Sequence, residues 1–191
     1  MEKSAKLGKL TLLNIILFGF IGQVAWAVEN NFFNTFLFSF GGTTKDISTM
    51  VAASAVVAVV TTFVMGTLSD KLGRRKVFIC AGYVAWGITV MAFAFISREN
   101  LGKLIGAAPS SAAALSATVT TVIVMDCIMT FMGSTSNDSA FNAWITDVTV
   151  PSNRAKTEGL LAILPVLALV IVTGVFGFIA GDDAQASDYA T

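Results

Sequence analysis

The chain has 191 residues, of which 55% are hydrophobic and 13% charged, with no net charge and a mean hydropathy of +0.77. Soluble domains carry about 25% charged residues, so the composition points away from water and toward a membrane, and the absent net charge removes any general case for nucleic acid. There is no histidine, and Cys80 and Cys127 sit alone inside apolar runs, which argues against a zinc site or a disulfide framework and makes both cysteines expected core residues.

A helix needs about 20 apolar residues to cross the hydrocarbon core. The first such run covers residues 10–40, after Lys3, Lys6 and Lys9. "AWA" at Ala25–Ala27 offers a cleavable signal peptide as the rival reading, but the apolar run continues through "FFNTFLFSF" to Phe40. Helical spacing puts Gln23, Trp26, Asn30 and Asn34 on one face, with Glu29 about a third of a turn away. The Glu29-Asn30-Asn31 triplet is expected to unwind the helix locally, which is tolerated only beside a cavity. The alternative role for the asparagines is structural, as hydrogen-bonding glue between helices.

The second span, residues 47–68, is rich in Ala, Ser and Thr, which suits close helix contacts. It ends in "GTLSDKLGRRK", Gly66 to Lys76, where charge is suddenly dense. Asp70 lies at a helix C-terminus, where the dipole disfavours it, so a basic partner is expected. Arg74, four residues on, is the nearest, with Arg75 and Lys76 at the lipid head groups. Gly66 and Gly73 would allow backbones to approach. Simple anchoring by positive charge would explain the basic residues, but not the aspartate or the glycines.

After a third span at 77–97, the fourth runs over 112–147, interrupted by Asp126 and Asp138. At about 1.5 Å per residue it is too short for two crossings and a turn, so one long helix is expected, projecting beyond the membrane. On it Phe131, Ser134, Thr135, Asp138, Phe141, Asn142 and Ile145 share a face at helical spacing. A carboxylate with hydroxyls, an amide and aromatics suits a sugar-like solute. Asp126 projects about 120° away. Ionisable groups within a span are costly and face a cavity or a partner, which makes Glu29, Asp126 and Asp138 candidates for ligand or ion binding. The fifth span, 158–180, follows the polar "DVTVPSNRAKTEG" of Asp147–Gly159 and precedes an acidic tail, 181–191, read as a frayed external end.

The lysines and arginines set the orientation. With the N-terminus inside, inner segments hold Lys3, Lys6, Lys9, Lys71, Arg74, Arg75, Lys76, Arg154 and Lys156, and outer ones only Lys45, Arg98 and Lys103. The expected fold is therefore an all-α membrane protein of five transmembrane helices with a cytoplasmic N-terminus, multi-pass in a plasma or inner membrane.

The stretch from Gly66 resembles the loop signature of the major facilitator superfamily, G-x-L-[AS]-D-x-x-G-R-[RK], through Gly66, Leu68, Ser69, Asp70, Gly73, Arg74 and Arg75, and it falls between the second and third spans as in that family. The resemblance implies a transporter of two six-helix bundles with alternating access, not an enzyme, in which the loop aspartate and arginine form a cytoplasmic latch. It extends that role to Asp147 and Arg154; on the other reading Asp147 merely accompanies Pro151 in a polar turn. "GFIGQVAWAVENNFF" and "NDSAFNAWITDVTVPSNRAKTEG" look most like the glycoside–pentoside–hexuronide and sucrose–proton symporters. That likeness implies a substrate role for Asp138 and, more loosely, a coupling role for Glu29, with H+ or Na+ as the coupling ion and no cofactor.

The resemblance spans most of an N-terminal six-helix bundle. A sixth span and the C-terminal bundle would be needed as partners, and this chain alone is not expected to transport. The first reading is thus part of a proton- or sodium-coupled sugar symporter. The alternatives are a proton-coupled exporter of the same superfamily, for which the fifth span offers only Pro165 and Gly174, and a transport-inactive fragment.

Overall fold

The computed structural model describes residues 7–180. Lys3, Lys6 and the 181–191 tail lie outside the described residues. The helices run α1 (Lys9–Ser39), α2 (Thr44–Leu72), α3 (Arg75–Ala92, extended by a 3-10 turn Phe93–Phe95), α4 (Arg98–Ile105), α5 (Ala112–Gly133), a π-helical segment (Ser134–Phe141), α6 (Asn142–Val148), α7 (Pro151–Leu161) and α8 (Leu164–Ala180). There is no strand among the described residues. Five helical stretches are long and apolar enough to cross a membrane: Lys9–Ser39, Thr44–Leu72, Arg75–Phe95, Ala112–Val148 and Pro151–Val175. The fourth run is one continuous helical stretch, without a turn that would split it.

The ends of these helices have local causes. Thr43 caps α2 in a capping box, its backbone N–H donating to Asp46 Oδ2 at 2.8 Å while its hydroxyl accepts from the Asp46 N–H at 3.3 Å. Gly73 ends α2 in the left-handed conformation, φ 61°, which is why glycine stands there. A Cβ added at Gly73 meets nothing within 4 Å, so this glycine serves the turn and not a close approach. The fifth span begins at Pro151, seven residues before the expected start, with proline in the first helical turn and the Asn153 side chain accepting the Val150 N–H at 2.9 Å. The connection before α5 holds a helix that the hydropathy reading passed over. There α4 is capped by Ser97 and ended by Gly106 (φ 69°).

The chain divides into two compact units, Phe32–Asp147 and Met1–Asn31 with Val148–Thr191. In the first, α2 and α3 pack against α5 and the π segment. Between helices in lipid there is little hydrophobic driving force, so close contact depends on small residues and dispersion. Accordingly α2 turns Ala53, Ser54, Ala58, Thr61, Gly66 and Ser69 inward and leaves Val56, Val59, Val60, Phe63 and Val64 exposed. Exposed valines around buried threonines and serines invert the arrangement of a soluble protein, and only an apolar solvent makes it favourable. Trp86, Val122 and Met129 fill the centre, and Phe33 lies on Phe93 with ring centroids 4.2 Å apart.

Among the described glycines of this unit the tightest approach is at Gly82 on α3, where an added Cβ would lie 2.6 Å from Ser136 Cβ. At Gly66, by contrast, the nearest atom is Ser139 Cβ at 3.7 Å, an ordinary contact. The expectation that Gly66 and Gly73 serve close packing is thus corrected: that role belongs to Gly82. Cys80 is exposed and Cys127 half-buried, so neither is the core residue expected.

In the other unit, α7 leads into α8, whose Leu164, Ala168 and Val172 form one buried stripe at helical spacing. Helix α1 passes unbroken through Glu29-Asn30-Asn31, contrary to the expected unwinding. The Asn31 amide donates to Ala27 O at 2.6 Å, bonding the side chain back along the helix without breaking it.

Candidate functional site

The sequence Ser134-Thr135-Ser136-Asn137-Asp138-Ser139 explains the local winding of the fourth span. Short polar side chains compete with the backbone for its own hydrogen bonds. Here Thr135 Oγ1 donates to Phe131 O (2.7 Å), Ser136 Oγ to Met132 O (2.9 Å) and Ser139 Oγ to Thr135 O (2.7 Å), each four residues back. The wider winding, in which the Asn142 N–H reaches Asn137 O five residues back, takes backbone donors away from the i−4 carbonyls, and these hydroxyls stand in for them. π-helical turns within α-helices are frequent at functional sites.

The winding departs from the 3.6-residue period on which the predicted face rests, and that face is split. Ser134, Thr135, Phe141 and Ile145 are buried and Asp138 is half-buried, but Phe131 and Asn142 are exposed. Asn137, which a regular helix would turn elsewhere, is 5% exposed.

Asp138 sits at the centre of a hydrogen-bonded cluster. Ser134 Oγ donates to its Oδ2 at 2.9 Å, and Asn137 Nδ2 donates to its Oδ1 at 3.1 Å. Asn142, expected on the same face, gives its amide to the Asp138 backbone carbonyl and not to the carboxylate, at 3.1 Å. Behind Asn137, Tyr83 Oη on α3 donates to Asn137 Oδ1 at 2.9 Å. Neither Tyr83 nor Asn137 was foreseen. The available signal was a phenol inside an apolar run, which needs a polar partner when buried.

Asp126 is 2% exposed and belongs to a different place. Ser54 of α2 lies beside it, its hydroxyl donating to Val51 O at 3.3 Å. Twelve residues along one helix separate it from Asp138, roughly 18 Å at ~1.5 Å per residue, so the two carboxylates share no site.

At the far end of the fourth span lies a charged cluster. Arg75 Nη1 meets Asp70 Oδ1 at 2.5 Å, and the same guanidinium pairs through Nε and Nη2 with both Asp147 carboxylate oxygens. One arginine thus holds the α2–α3 turn to the end of α6. The expected Asp70 partner, Arg74, is displaced from that role. It takes the exposed position preceding α3 (φ −116°), with no side-chain cap bond. Arg154 lies in the other unit, where its Nε donates to Thr149 Oγ1 at 3.1 Å and its Nη2 to Thr149 O at 3.4 Å.

On α1 the pattern is also revised. Glu29, placed off the polar face by the sequence reading, lies on the buried stripe with Ile15, Gly19, Gly22, Phe33 and Leu37. Asn30 is exposed, while Gln23, Trp26 and Asn34 are half-buried. Among the described residues, no three of His, Cys, Asp and Glu come together to hold a metal ion.

Compared with models of protein families, with characterised proteins and with solved structures, the chain matches none. The arrangement itself must carry the functional reading. A carboxylate held by two neutral donors in an apolar bundle can accept hydrogen bonds from a polyhydroxylated solute or take up a proton. An arginine shared by two carboxylates can tie one helix end to another, and be released.

Proposed function

We propose that this chain is part of a secondary active transporter of the major facilitator superfamily, working by alternating access as a proton- or sodium-coupled sugar symporter in a plasma or inner membrane. The observation that carries the reading is the Asp138 cluster within a π-wound transmembrane helix. An ionised carboxylate offers about four acceptor positions. Ser134 and Asn137 donate to this carboxylate, and Asp138 is only half-buried, so sugar hydroxyls can reach it. Bonds to a charged acceptor are the strong ones. The loop signature at Gly66–Arg75 supports the reading independently, with Arg75 rather than Arg74 tying Asp70 to Asp147. Buried Glu29 is the group proposed for the coupling ion.

Equilibrium binding of radiolabelled mono- and disaccharides to the purified chain in nanodiscs, with and without Na+ at pH 5.5 and 8, tests this. Saturable binding of one sugar class is expected. Asp138→Asn, which keeps the shape but loses a charge-assisted acceptor worth about 1.5–3 kcal/mol, should weaken it roughly ten-fold or more. Binding that stays within two-fold in that variant overturns the role of Asp138, and no saturable binding of any sugar overturns the solute class.

A further inference from the structure

Resting on that reading of Asp138 as the solute-binding group, we infer that Tyr83 is a positioning residue for it, acting through Asn137. A carboxamide presents two opposite faces, an oxygen that only accepts and an NH2 that only donates. An ionised carboxylate can only accept. Asn137 therefore supports Asp138 in one of its two orientations and repels it in the other. The acceptor-only carboxylate takes Nδ2 at 3.1 Å, and the Tyr83 phenol locks that orientation by donating to Asn137 Oδ1 at 2.9 Å.

The surroundings make this relay rigid. Asn137 is 5% exposed, between Ser136 and Ser139, whose hydroxyls are committed to backbone carbonyls. Tyr83 follows Gly82, a point of close approach between α3 and the fourth span, and its ring lies against Trp86 with centroids 5.8 Å apart. The phenol thus reads the α3–span-four distance, and the orientation of Asn137 passes it to the carboxylate. A movement that separates the two helices would release the amide and weaken the grip on Asp138. Solute affinity would then depend on how α3 packs against the fourth span.

The test uses the whole chain in nanodiscs with 13C-labelled aspartate, and reads the infrared carboxylate stretch that disappears in Asp138→Asn. This readout needs no sugar. Tyr83→Phe keeps the ring and its packing and removes only the donor. It should shift the Asp138 band, Asn137→Ala should shift it the same way, and the double variant should go no further than Asn137→Ala alone. Where sugar binds, Tyr83→Phe should cost roughly three- to ten-fold in affinity, the loss of one neutral hydrogen bond's influence. An unmoved band in Tyr83→Phe, or shifts that add in the double variant, would overturn the relay. A band that moves in a protein that binds no sugar would leave the relay standing and refute the solute reading alone.

Discussion

Replacing Gly82 by alanine places a methyl group 2.6 Å from Ser136 Cβ and 3.3 Å from both Ser136 Cα and Oγ. Real Cβ atoms do not tolerate the first distance, and the atoms met are not the free end of a flexible chain. Ser136 is fully buried, and its hydroxyl is engaged by Met132 O at 2.9 Å and Gly133 O at 3.3 Å. Relief must come from moving the helices apart. Overpacking of this kind costs about 1–3 kcal/mol, or roughly a factor of 5–30 in the folded-to-unfolded ratio at 1–2 kcal/mol. Unfolding followed by tryptophan fluorescence in detergent should show this loss for Gly82→Ala. Gly87 serves as the control, since a Cβ there meets nothing within 4 Å, so Gly87→Ala should be neutral or slightly stabilising. Combining Gly82→Ala with Ser136→Gly removes the opposing Cβ and should recover most of the loss. A Gly82→Ala protein as stable as the parent, or one not rescued by Ser136→Gly, would refute the packing argument.

Arg75→Gln should lower stability by roughly 1 kcal/mol, because its guanidinium holds two carboxylates that are themselves half-exposed and screened, while Arg74→Gln should stay within about 0.5 kcal/mol; denaturant titration of the two variants decides which arginine ties the turn. On α4, the hydrogen bond and the charge of Lys103 hold the Glu99 carboxyl below its ordinary value of 4.5. A lowered folded-state pKa stabilises above the unfolded value and loses that stability as pH falls through the folded one. Amide exchange in α4, corrected for intrinsic rates, should therefore be slower at pH 6 than at pH 3, and Glu99→Gln should abolish the difference.

Much of the architecture was legible in the sequence because its cause is one-dimensional. A run of some twenty apolar residues is a membrane-crossing helix whatever its neighbours, so the five spans needed no tertiary information. Asp138 and its bond from Ser134 were legible for a related reason: residues four apart meet on any helix-like turn. The rest depended on partners far along the chain. Arg74 and Arg75 are equivalent as letters, and sequence spacing favours Arg74. The left-handed turn at Gly73 gives Arg74 the exposed position before α3 and swings Arg75 toward Asp147, 72 residues away. The face around Asp138 assumes a regular helix, whereas the segment is π-wound and packed on α3, with Asn142 exposed and Asn137 buried. Gly82 and Tyr83 carried no signal of their own importance, since each is defined by a residue on the fourth span, for Tyr83 54 positions on. Hydropathy and local spacing settle which segments cross the membrane, because solvent transfer acts on each segment separately. Which side chains meet inside is a property of two helices in contact, and only the packed structure decides it.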